Sequence, residues 1–298
     1  MTTQFRTAVI GLGSMGYGMA QSCLRAGHRT WGVDINADAV HRFTTEGGQT
    51  GEVPRDLDAL VVVVLNAAQT EAVLFGETGA VSGLRPGAVV ISCATVPPDF
   101  ARAMEARCAE AGVHYLDAPI SGGAAKAAQG ALSMMAAGTP QAFAAARPVL
   151  DACATTVFEL GSEAGPGSAM KAVNQLLAGV HIATMAEALT FGMTQGVEPA
   201  KFVEVISQCA GTSWMLENRA PHIVDGDYTP RSQINIWPKD LGIVLDIAKT
   251  AGFSAPITAA ALQQYMVAVG MGLGHQDDAA IAKVYARNAG LDLPPEKG

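Results

Sequence analysis

The first half of the chain carries short β-rich runs at Thr7–Ile10, Thr30–Val33, Leu60–Leu65, Val89–Ser92, Val113–Asp117 and Leu132–Ala136, with LVVVVL continuously apolar. Runs of strand length without polar alternation predict strands buried on both faces, as in a parallel sheet. Between them lie Ala-rich stretches with helical spacing at Met15–Ala26, Asp38–Glu46, Phe100–Ala111 and Gln141–Ala152. That alternation predicts a parallel sheet wrapped by helices on both faces. From about Gly165 the strand signal stops. Apolar positions recur at helical spacing through Met170–Gln195, Pro199–Gln208, Lys239–Ala251 and Pro256–Val269. Gly161–Gly167 punctuates the change, with Pro166 and Gly167 placed to open a helix. Run from Ser168 to Gln195, that helix would span about 42 Å. The pattern therefore divides the chain into an α/β domain over 1–164 and an all-α C-terminal domain over 165–298.

Composition narrows what such a chain can do. Its 298 residues are 49% hydrophobic and 15% charged, which suits two buried cores rather than a disordered tail. A formal net charge of -8 gives nucleic acid no electrostatic footprint, so none is expected as a partner. Anions must then be held locally, by helix N-termini and single lysines. The most apolar run, Leu60–Leu65, is far short of the roughly 20 residues of a spanning helix, so no membrane segment is expected. The opening MTTQFRTAVIGLG enters a strand without a leader pattern. Five scattered cysteines without a CxxC pair read as free thiols of a reducing cytoplasm. No histidine stands at metal-ligand spacing, and no metal is expected.

Gly11-Leu12-Gly13-Ser14-Met15-Gly16 follows the strand TAVI and precedes a helical run. In that setting the first glycine permits a tight turn and the second lets backbone approach a pyrophosphate. The third lets helix and strand pack closely, so the helix N-terminus faces the phosphates. Asp34, with Ile35 after it, closes the second strand at the distance where an acid meets the adenosine ribose. A carboxylate there repels a 2′-phosphate and favours NAD over NADP. The first domain is thus expected to be of the Rossmann type, binding a dinucleotide. Leu65-Asn66 at the end of LVVVVL, and Thr95 after VVIS, put small or polar residues where a ribose or nicotinamide would lie.

Two further segments carry chemistry. Ser121-Gly122-Gly123 follows a strand end and offers backbone N–H groups and a hydroxyl, a cradle for a carboxylate. Lys171 and Asn174 stand three apart near the start of the long helix and share a face. A lysine is electrostatically misplaced near a helix N-terminus, which points to a functional reason for it. There it can bond a substrate hydroxyl and exchange its proton as hydride leaves the same carbon.

With GLGSMGYGMA, DAPISGG, GPGSAMKAVN and KDL in order, nearly the whole chain resembles the β-hydroxyacid dehydrogenase family. That family includes 3-hydroxyisobutyrate dehydrogenase and tartronate semialdehyde reductase. The resemblance implies that Lys171 is catalytic and that Ser121, Gly122, Gly123 and Asn174 bind a small hydroxy acid. It further implies that Thr95 and Lys239 contact the cofactor or lie beside its nicotinamide, and that the chain forms a homodimer or homotetramer. Where the family often carries a second asparagine, this chain has Gln175, which moves the amide outward and is expected to reshape the substrate pocket. GTSWMLENRAPHIVDGDYTP and INIWPKDL look similar to the family's L-threonate dehydrogenase branch. Ser213, Trp214, Asn218 and the Gln175 amide would then add polar contacts for a polyhydroxylated acid, although Trp214 and Met215 read more simply as core.

Other readings stay open on the residues alone. Oxidation of a phosphorylated sugar acid would call for clustered positive charge, which the helical half lacks. Imine reductases on this scaffold lack a lysine like Lys171. A dinucleotide-binding redox sensor would need no Lys171, Asn174 and Ser-Gly-Gly set.

Overall fold

The computed structural model describes residues 4–297. The first eight strands alternate with six helices: β1 (Arg6–Ile10), α1 (Gly16–Arg25), β2 (Arg29–Val33), α2 (Ala37–Thr45), β3 (Ala59–Val62), α3 (Ala67–Phe75), β4 (Val89–Ser92), α4 (Pro98–Glu110), β5 (His114–Asp117), β6 (Ile120–Ser121), α5 (Gly123–Gln129), β7 (Leu132–Ala136), α6 (Pro140–Cys153) and β8 (Ala154–Glu159). Six helices follow: α7 (Pro166–Thr194), α8 (Pro199–Ile206), α9 (Trp214–Val224), α10 (Ile236–Thr250), α11 (Pro256–Gly270) and α12 (Ala282–Ala289). Two compact units divide the chain inside α7, Lys171 ending the first and Ala172 beginning the second.

In the first unit, β1 to β5 form one parallel sheet in the order β2-β1-β3-β4-β5. Alternate apolar residues of its strands enter different cores. Val61, Ile91 and Leu116 join α1 and α6 on one face, while Leu60, Val62 and Val90 pack with Leu74 and Met104 on the other. The order reverses between β1 and β3, and open α/β sheets bind ligands beyond the carboxyl ends of their strands at such a reversal. The loop after β1 lies there.

Two expectations are corrected in this unit. Leu132–Ala136 belongs to a separate three-stranded sheet, antiparallel to β6 and parallel to β8. Pro119 has no N–H to extend the ladder of β5, so the chain turns away after Asp117 and pairs elsewhere. LVVVVL is also shorter as a strand than its composition suggests. Pairing stops at Val62, Leu65 is exposed, and Asn66 caps α3 by accepting from the Gln69 N–H at 2.9 Å.

The second unit is all helical, and its core includes Ile182, Met185 and Leu189 of α7, Trp237 and Leu241 of α10, and Tyr265 of α11. By length and composition alone α7 is long and apolar enough to cross a membrane, with mean hydropathy 1.4 over its most apolar window. Its buried apolar residues, Ile182, Met185 and Leu189 among them, line the core of this unit.

Beside that core lie two adjacent acids with no exposed surface. Asp278 accepts from Arg219 Nε at 2.5 Å and Trp237 Nε1 at 3.1 Å. Asp277 accepts from the N–H groups of Arg231 and Ala279 at 3.0 and 3.2 Å, with His222 Nδ1 at 2.9 Å. Burial pushes the Asp277 carboxyl up, but these bonds outweigh it and hold the group below its usual 3.8. A depressed carboxylate stabilises the fold fully above the unfolded value and loses that contribution as pH falls through the folded one. Asp277→Asn should therefore flatten the loss of stability below about pH 4, read from urea midpoints between pH 6 and 3. An unchanged acid limb would contradict this.

Candidate active site

Loop 11–16 closes on itself. The Gly11 N–H donates to Val33 O at 2.8 Å, and a Cβ on Gly16 would lie 1.8 Å from Gly11 O, so only glycine fits at the start of α1. Gly13 behaves differently, for a Cβ there meets nothing within 4 Å. Among the described residues no side chain caps α1, and its first turn holds no acid. A helix start of this kind suits an external anion. Asp34 secures the loop: its carboxylate accepts from the Leu12 N–H at 2.5 Å and the Asn36 N–H at 2.7 Å. Ile35 beside it is wholly exposed. A groove of about 490 Å³ joins Leu12, Gly13, Ser14, Tyr17, Asn36 and Arg42. Thr95, half-buried, follows β4 at the same end of the sheet.

At the end of β5 the chain makes its most demanding contact. The buried Asp117 carboxylate accepts from the Gly165 N–H at 2.9 Å, the Ser168 N–H at 2.8 Å and the Ser168 hydroxyl at 2.6 Å. Burial pushes the Asp117 carboxyl up, against the pull of these bonds and of the Arg102 charge. The carboxylate thus caps α7 from across the fold, satisfying N–H groups that a helix start leaves without partners. One turn on, Lys171 Nζ donates to Ile120 O at 2.8 Å. That carbonyl adjoins Ser121, so the lysine and the Ser121-Gly122-Gly123 segment are together. Gly122 and Gly123 have φ of 133° and 77°, conformations that L side chains rarely adopt. Successive residues of this kind turn backbone N–H groups toward an anion.

In the second unit a chain of polar groups runs from α7 to α10. Asn174 Nδ2 donates to Gln175 Oε1 at 2.9 Å, and Gln175 Nε2 donates to Asp240 Oδ2. Lys239 Nζ lies 2.6 Å from Asp240 Oδ1. Gln175 is buried with both ends of its amide engaged, which differs from the open substrate contact expected of it. Ser213 and Asn218 are also spent locally: Ser213 caps α9 by accepting from the Leu216 N–H at 3.1 Å, and Asn218 Oδ1 accepts from Arg219. Trp214, expected in the core, is 55% exposed, whereas Met215 packs against the second core. Sequence reasoning gave no task to Asp117 or Asp240, although both stand inside the quoted motifs DAPISGG and KDL.

A parallel sheet with a glycine loop at its reversal point, and a lysine held beside a Ser-Gly-Gly turn, define a dinucleotide-dependent oxidoreductase. Residues 6–161 match the family model described as the NAD-binding domain of 6-phosphogluconate dehydrogenase. Residues 165–285 match that described as the NAD-binding domain of NADP-dependent 3-hydroxyisobutyrate dehydrogenase. The chain is 49% identical to an L-threonate dehydrogenase of Cupriavidus necator, over 96% of this chain and 97% of that protein. It is 43% identical to one of Escherichia coli, over 99% and 98%. A crystal structure of 3-hydroxyisobutyrate dehydrogenase from Salmonella typhimurium superposes with a TM-score of 0.90 at 43% identity, covering 94% of this chain and 100% of that one. The chain belongs to the β-hydroxyacid dehydrogenase family and is an NAD-binding dehydrogenase. The redox-sensor alternative is set aside, since these relatives are named dehydrogenases.

Gly13 makes two separable predictions. Gly13→Ala meets no protein atom, so its thermal midpoint should stay within about 2 °C of wild type. The added methyl occupies the anion's approach, however, and NADH affinity from fluorescence titration should fall about tenfold or more. Unchanged affinity would mean that the loop serves only as a turn.

Proposed function

We propose that this dehydrogenase oxidises L-threonate to the corresponding oxo-acid with NAD. The observation that carries the reading is the Lys171 ammonium held at Ile120 O, beside the Ser-Gly-Gly turn, in a chain whose curated relatives at 43–49% identity act on L-threonate. The backbone N–H groups and hydroxyl of Ser121, Gly122 and Gly123 hold the substrate carboxylate. The Asn174 amide bonds a hydroxyl one helical turn from Lys171. Bound NAD supplies the hydride acceptor. As a neutral amine, Lys171 takes the hydroxyl proton from the reacting carbon, becoming the ammonium; in the reverse direction it returns that proton. Oxidation releases one proton overall.

Gly11, Leu12, Gly13, Ser14, Met15 and Gly16 would hold the pyrophosphate, and Asp34 the adenosine ribose, with Ile35 an apolar face for the base. Leu65, Asn66, Thr95 and Lys239 complete the proposed cofactor contacts. The Asp34 carboxylate favours NAD. Arg42 supports the rival NADP reading, because an arginine at this edge accommodates a 2′-phosphate. Free thiols at all five cysteines support a cytoplasmic setting. Met170, Val173 and Leu177 form an exposed apolar stripe along α7, which supports a homodimer or homotetramer. Light scattering should return two or four chains; a monomer at micromolar concentration would overturn that.

Initial rates with L-threonate, D-glycerate and 3-hydroxyisobutyrate, each with NAD and NADP, test the assignment. L-threonate with NAD should lead in kcat/KM by about tenfold or more. No threonate turnover beside rapid reduction of tartronate semialdehyde would reverse the substrate assignment, and faster turnover with NADP the cofactor one. Lys171→Ala should lose about 10²- to 10⁴-fold in kcat while NADH still binds. Catalysis at wild-type speed would sink the mechanism.

A further inference from the structure

Among the polar groups of the second unit, one run has a direction that its chemistry dictates. Asp240 is buried, and a carboxylate accepts hydrogen bonds without donating. One oxygen faces the Lys239 ammonium at 2.6 Å. The other faces Gln175, which must therefore present its NH₂. A carboxamide turns as a unit, so Gln175 Oε1 points the opposite way and needs a donor. The group it meets is Asn174 Nδ2 at 2.9 Å. The Asn174 amide is thereby set in turn, with Nδ2 toward Gln175 and Oδ1 away from it. An asparagine on its own could offer either end to a ligand. In this chain the buried charge at Asp240 removes the choice.

We infer that Gln175 and Asp240 are positioning residues that fix the Asn174 amide as a hydrogen-bond acceptor, so that Asn174 Oδ1 reads a hydroxyl hydrogen of the substrate. The inference rests on the proposed placement of substrate at Lys171 and Asn174. It explains what the glutamine at 175 does. A side chain shorter by one methylene would have to shift to meet Asp240 and Asn174 together, whereas Gln175 meets both. It also defines the ligand chemistry at this point: a polyhydroxylated acid is matched, and an alkyl group in the same place leaves the carbonyl without a donor.

The test compares kcat/KM for L-threonate with that for its 3-deoxy and 4-deoxy analogues. Wild type should disfavour the analogue lacking the recognised hydroxyl by about tenfold or more. Gln175→Leu keeps volume and removes the relay; threonate should then lose about tenfold, while that analogue changes less than about threefold. Asp240→Asn should lower the discrimination as well, because an amide at 240 can face Gln175 with either end. The double variant Gln175→Glu/Asp240→Asn should restore it. A carboxylate at 175 again accepts from Asn174 Nδ2, and the amide at 240 donates to it. This swap keeps the experiment decisive if Gln175→Leu does not fold.

Equal treatment of all three acids by wild type would overturn the inference. So would a uniform fall for every substrate in the variants, or failure of the swap to recover discrimination in a folded protein. Lys171→Ala, measured alongside, should slow all three acids together and preserve their ratio. Retained speed in that variant would refute the site reading itself, a result distinct from any change in the ratio.

Discussion

The buried carboxylate of Asp117 is the contact on which the arrangement around α7 depends. It lies at the last residue of β5, in a place too dry to favour a charge, and accepts three hydrogen bonds from Gly165 and Ser168. Breaking the partners of a buried charge is costly, so the carboxylate has strong reason to keep them. That cost holds the start of α7 against the end of the sheet. Lys171 follows three residues after Ser168, close enough for the same clamp to bring its ammonium to Ile120 O. Without a partner for Asp117, the helix start would lose its cap and the lysine its fixed origin.

Anion binding in this acidic chain is a local matter. Its net charge of -8 does nothing to draw in a phosphate or a carboxylate. What the first unit provides instead are main-chain donors: a helix start without a side-chain cap at α1, and two glycines of positive φ after Ser121. Such donors act over a short range and point in fixed directions, so they favour particular geometries more than charge alone. Asp34 fits the same scheme. Its oxygens already hold the Leu12 and Asn36 N–H groups, which keeps the carboxylate in place.

Much of this was legible from residue pattern, and the exceptions share a cause. Strands β1 to β5 were visible because both faces are largely buried, so their β-rich runs lack regular polar alternation. By contrast β8 is mostly exposed, and ATTVFE carries no strong hydrophobic signal. Helix α9 contains Pro221 and begins with a tryptophan turned outward, both of which weaken a periodic reading. The loop glycines, Lys171 and Asn174 stood out through chemistry tied to close neighbours. Asp117 and Asp240 did not, because Asp117 is met by groups 48 to 51 residues away and Asp240, besides its neighbour Lys239, by Gln175, which is 65 residues away. An acid whose meaning resides in distant partners looks like any other acid.

The continuity of α7 has a consequence for how such enzymes diverge. Lys171 and Asn174 are carried on one unbroken helix, whose rise and turn set their separation like marks on a ruler. No substitution at either position can lengthen that interval. On the proposed reading of the site, a descendant acting on a longer or shorter acid would keep the interval between these two side chains and change the residues that meet the rest of the substrate. On that reading, chemical invention in this scaffold falls on the substrate's tail.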